Sequence, residues 1–97
     1  MRIMTIENCE KTKLEYSTFC SENDLPDCFS TIVYFMDTQG VNIWVKPSLH
    51  GVFSPGYSCS GNIRSHRNGG FEDRQSAELF IAQEAFNYVE HKLVSKW

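Results

Sequence analysis

The sequence has no run approaching the roughly 20 apolar residues that a membrane-spanning helix needs, and its first residues lack the apolar core and small-residue cleavage site of a secretory signal. A cytoplasmic protein is expected. The sequence also has no Cys-x-x-Cys pair: Cys9, Cys20, Cys28 and Cys59 are irregularly spaced, and His50, His66 and His91 complete no zinc-knuckle pattern. No metal or cofactor is therefore expected, and the thiols read as small buried hydrophobes. Gly-x-Ser-x-Gly, Walker, Gly-x-Gly-x-x-Gly and His-Glu-x-x-His motifs are all missing. Cys59 lies near Ser65 and His66 in sequence, but nothing marks the third group that would orient a thiol–imidazole pair. No catalytic residue and no small-molecule substrate are expected. There are no internal repeats or low-complexity tracts, and 97 residues suffice for one domain spanning 1–97 but not for two.

What is present is the composition of a folded globule, with 41 % hydrophobic and 22 % charged residues. The charge is unevenly distributed. Residues 1–30 carry −3, residues 31–71 carry +2 and residues 72–97 carry −2. Acidic ends around a basic waist suit a charged partner, because summed fields of this kind steer association.

Residues 6–19 fit a first helix capped by Thr5, with Glu7 and Glu10 in its first turns, although Leu14, Tyr16 and Thr18 against Glu15 and Ser17 fit a strand as well. The stretch 21–27, with Pro26 among Asn and Asp, predicts an acidic loop. Residues 29–36 are β-branched and aromatic on both faces and read as a central strand. They would form a hairpin, through the turn 37–40, with the strand in which Val41, Ile43 and Val45 alternate with Asn42, Trp44 and Lys46. Residues 52–63, interrupted by Pro55 and Gly56, predict an edge strand or a second hairpin.

A polar loop at 64–70 then precedes an amphipathic helix of about 20 residues. Its apolar stripe is Leu79, Ala82, Phe86, Val89 and Leu93, with Ala85 beside it and Gln83, Glu84, Asn87, Glu90 and His91 opposite. Glu72 and Asp73 fall in its first turn and His91, Lys92 and Lys96 toward its end, as the helix dipole favours. The expected class is α+β: an antiparallel sheet of three to four strands, with the long C-terminal helix and an N-terminal helix packed on one face.

Two sets of residues could meet a partner. Glu7, Glu10, Glu15, Glu22, Asp24 and Asp27 could stand in for backbone phosphates and occupy the basic groove of a nucleic-acid-binding protein, although an acidic surface also serves solubility alone. Arg64, His66, Arg67 and Arg74, with Phe53, Tyr57 and Phe71 nearby, could instead hold phosphates and stack bases, as a small RNA- or DNA-binding module would. The order helix, three strands, helix loosely resembles a double-stranded RNA-binding domain. Those domains begin their second helix with lysines, where this chain has Phe71-Glu72-Asp73-Arg74-Gln75.

In size, charge and build, including the acidic run 22–27, the chain resembles the small phage-encoded anti-CRISPR proteins that inhibit type I surveillance complexes. The resemblance implies a non-enzymatic inhibitor of a basic, nucleic-acid-binding protein or ribonucleoprotein complex in a bacterial host, acting by acidic mimicry of DNA.

Overall fold

The computed structural model describes residues 5–48, 51–59, 62–66 and 70–92, with only the backbone described at 62–66. The elements run α1 (Glu10–Asn23), α2 (Phe29–Thr38), β1 (Val41–Pro47), β2 (Phe53–Cys59), β3 (Asn62–His66) and α3 (Arg74–His91). The class is α+β. No helix among the described residues is long and apolar enough to cross a membrane.

The first helix begins later than the sequence suggests. Thr5 does not cap it; Cys9 occupies the N-cap position without a side-chain bond, and Glu7 lies outside the helix. The helix also continues into the predicted acidic loop, through Asn23. It stops where Asp24 takes the left-handed conformation at φ 53°, the Asp24 N–H pointing at the Ser21 carbonyl and the Leu25 N–H bonding the Cys20 carbonyl. This pair of reversed bonds satisfies carbonyls that the helix end leaves open.

Residues 29–36, expected as a central strand, are helical instead. Thr31, Ile32, Phe35 and Met36 form one buried stripe at helical spacing, and the opposite side bears the exposed Tyr34. The segment looked apolar on both faces because part of its far side packs on α1, where the Phe19 and Tyr34 rings meet edge-on at 5.3 Å. Gly40, at φ 79°, therefore turns a helix into a strand and does not close a hairpin.

The hairpins lie further along. β1, β2 and β3 form an antiparallel sheet in sequence order, so β2 is the central strand and not an edge. Pro55 can sit there because it is opposite Val45 in the regular β1–β2 register, and the β2–β3 ladder begins at Gly56. Val41, Ile43, Tyr57 and Cys59 share the covered face and are all buried. Against them pack α2 and α3, while the main contacts of α1 are with α3 and α2, which makes it an outer layer and not a second helix laid on the sheet.

The long helix is present, and its buried stripe includes the expected Ala82, Ala85 and Phe86 but adds Ala77 and Ile81. Asp73 is its N-cap, accepting from the Ser76 N–H and hydroxyl at 3.0 Å, so the helix proper starts at Arg74. Ala77, Ile81, Ala82, Ala85 and Phe86 are buried, Leu79 and Val89 only half so, and Leu93 lies outside the described residues. The opposite side is not free. Gln83, Asn87, Glu90 and His91 bind the backbone and thiol of residues 7–12, so α3 is held between the sheet and the N-terminal segment.

Candidate functional site

The six carboxylates from the N-terminal third do not share one face. Glu15 and Glu22, seven residues apart on α1, project in nearly one direction about 10 Å apart along the axis. Glu10 points about 140° away from Glu15 and meets Lys13 at 3.8 Å. Glu7 lies off the helix, its N–H donating to Gln83 at 2.8 Å while the Gln83 amide donates back to the Glu7 carbonyl. Asp24 and Asp27 lie beyond the far end of α1, both exposed. Asp27 has a structural duty besides, since it accepts the hydroxyl of the buried Tyr16 at 3.1 Å. Burial first, and then this neighbouring carboxylate with the Cys20 thiol, pushes the Tyr16 phenol far above its ordinary value.

The basic set is equally divided. Arg64 and His66 belong to β3, where the backbone pairs His66 with Gly56. Arg67 lies outside the described residues. Arg74 opens α3, its guanidinium 4.8 Å from the centroid of the Phe53 ring. On the β2–β3 ladder Cys59 pairs with Asn62, three residues along from the Gly56–His66 pair, so the backbone positions of Cys59 and His66 stand about 10 Å apart.

The thiols are held in unlike settings. Burial and then Glu90 push the Cys9 thiol up, and its Sγ donates to Asn87 Oδ1 at 3.2 Å. Cys28, at the N-cap of α2, is held below the ordinary thiol range by the Thr31 hydroxyl and by backbone N–H groups of the first helical turn. Among the described residues no cluster of three or more His, Cys, Asp or Glu could hold a metal ion.

A cavity of about 210 Å3 opens between α1 and the end of α3. Its lining includes Lys11 and Lys92 as well as Glu15 and Glu90, two charges of each sign. Glu90 is also committed, accepting the Thr12 N–H at 2.7 Å; that bond holds its carboxyl below the ordinary range.

The feature that sequence reasoning missed is the distribution of charge over the fold. No Asp or Glu occurs between residues 38 and 71, and this interval contains the entire sheet. All 12 carboxylates lie outside the strands, on the helices, in the α1–α2 connection, or in the segments that lead into α1 and α3. The side of the sheet away from the helices carries Asn42, Trp44 and Lys46 from β1 beside Ser58, Gly56 and Ser54 from β2. The period-two alternation of 41–46 was the available signal for this face, and it already separates Trp44 and Lys46 from the core residues.

Comparison with known proteins assigns no family. No family model matches the chain, no curated protein matches it, and no solved structure matches its fold. Any functional reading therefore rests on the chain's own chemistry.

Proposed function

We propose that the protein is a non-enzymatic inhibitor that binds a basic, nucleic-acid-binding protein complex in the cytoplasm of a bacterial host through its helical side. The observation that supports this is the segregation of charge. Every carboxylate is on the helices or the segments next to them and none is on the sheet, which leaves the carboxylates of α1 without counter-charge from the strands. Within that side, Glu15 and Glu22 form the stripe best suited to a basic groove, with Asp24 exposed at the end of the same helix. The resemblance to phage anti-CRISPR proteins makes a type I surveillance complex the first partner to test.

The informative substitution is Glu15→Lys with Glu22→Lys, because both residues are exposed, whereas Asp27→Lys would also disturb Tyr16. In a gel-shift assay of surveillance complex on target duplex, the native protein should abolish the shift at about one molecule per complex. The double reversal should need about ten-fold more, since a like-charge contact costs a kcal/mol or more. It should keep the native circular dichroism spectrum. Undiminished target binding in excess inhibitor, or a double reversal as potent as the native chain, would remove the reading.

A further inference from the structure

We propose that the outer seam between α1 and α2 receives an arginine side chain of a basic protein partner, with the Tyr34 ring as the surface on which the guanidinium stacks and Glu15, Glu22 and Asp37 as its acceptors. This deepens the reading above and rests on it for the partner, since Glu15 and Glu22 serve both. It names the partner side chain that the seam selects.

Among the described residues Tyr34 is one of the few large apolar side chains that stand in the open, with 54 % of its surface exposed. Its ring is nonetheless fixed in place. It meets the half-buried Phe19 of α1 at 5.3 Å between centroids with the planes crossed at 80°, and Phe19 is held in turn 5.5 Å from the buried Phe35. In an edge-to-face pair one ring meets the other by its rim, so at least one face of Tyr34 is left uncovered by Phe19. Other rings already have a cation of this chain against them. That of Trp44, which also lies 2.7 Å from where a Cβ on Gly56 would stand, has Lys46 Nζ 5.7 Å from its centroid; Phe53 has Arg74 at 4.8 Å and Tyr88 has Lys92 at 5.5 Å. Among the described residues no cation takes that place at Tyr34.

Carboxylates flank the aromatic pair from both helices. Glu15 precedes Phe19 by four residues and Glu22 follows it by three, so the two are its neighbours one turn to either side, with Cβ atoms roughly 5–6 Å from its own. Asp37 stands in the same relation to Tyr34, three residues on along α2. All three are exposed. α2 contains no basic residue, and Lys11 of α1 lies a further turn beyond Glu15. The seam therefore offers a ring face and several acceptors to a cation, and its carboxylates repel a phosphate backbone. Arginine fits this better than lysine. A guanidinium is planar and weakly hydrated, so it stacks on a ring while its edge donates N–H bonds to a carboxylate, whereas an ammonium is a compact and strongly hydrated point charge.

The test is a fluorescence-anisotropy titration of the full chain against labelled hexaarginine and hexalysine peptides at about 50 mM salt, up to about 1 mM protein. Saturable binding is expected, with hexaarginine at least about three-fold tighter. Tyr34→Leu keeps an apolar side chain but removes the π-face, and should bring the two peptides within about 1.5-fold of each other, while Tyr34→Phe should retain the preference. Asp37→Asn should weaken hexaarginine by about two-fold or more. Absence of saturable binding, equal affinity of the native chain for both peptides, or a preference that survives in Tyr34→Leu would overturn the proposal. The gel-shift assay separates the two readings. Native protein without effect there removes the inhibitor, while an arginine preference lost in Tyr34→Leu still upholds the seam; inhibition undiminished by Tyr34→Leu keeps the inhibitor and removes the seam as its contact.

Discussion

Glycine earns its place in this chain at Gly70. It sits at φ 55°, and a Cβ there would run into the carbonyl oxygen of Phe53, a backbone atom that cannot step aside. The collision lies where Phe53 and Phe71 exchange both of their backbone hydrogen bonds, at 2.7 and 2.8 Å, so the chain entering α3 is tied to the start of β2 by the closest approach that glycine allows. Gly70→Ala combines left-handed strain with this clash and should cost more than about 2 kcal/mol, which for a domain of this size lowers the melting temperature by roughly 8 °C or more. A fall below about 4 °C would show that the approach is looser than described. Asp24 and Lys92 also adopt positive φ, at 53° and 58°, and in both cases the conformation closes a helix.

Among the elements, α3 is the one on which the others depend. On its core side Phe86 is fully buried, 6.1 Å from the Tyr16 ring and 6.4 Å from the Phe35 ring, so a single side chain joins α1, α2 and α3. Phe86→Ala should cost about 3–5 kcal/mol, read as a drop in the denaturant midpoint; an unchanged midpoint would contradict the core described here. On its other side α3 secures the N-terminal segment by polar bonds. Gln83 grips Glu7, Glu90 takes the Thr12 N–H, and His91 Nε2 lies 2.7 Å from the Asn8 carbonyl. Glu90 is held below the ordinary carboxyl range because its charged form accepts that N–H. Its contribution to stability is therefore complete above the unfolded-state value of about 4.3 and is lost as the pH falls through the lower folded-state value. Between pH 6 and pH 3 the native protein should lose more stability than Glu90→Gln, measured by thermal unfolding; equal losses would mean that the Thr12 bond is indifferent to ionisation.

At the scale of the whole molecule, charge and layer coincide. The sheet lies within the basic waist of the sequence and carries no carboxylate, while the carboxylates belong to the helices and their flanking segments. The molecule measures 39 × 24 × 23 Å, more than two screening lengths even in its shorter dimensions at 0.1 M salt. Charge reversal on α1 is expected to alter binding to a basic protein partner.

The sequence by itself determined the α+β class, the β1 alternation and the long final helix, because each is written in local spacing that a few neighbouring residues enforce. It misassigned residues 29–36, where β-branched and aromatic composition outweighed a four-residue buried stripe, and on α3 it found Ala82, Ala85 and Phe86 but overlooked Ala77 and Ile81. It also treated Gln83, Asn87 and Glu90 simply as the polar side of α3, when their partners lie more than 70 residues away in the chain. Only the tertiary structure decided which carboxylates share a direction, that Asp27 is tied to Tyr16, and that Trp44 rests on Gly56. Those facts depend on how elements are brought together in space, and periodicity along a chain carries no record of that.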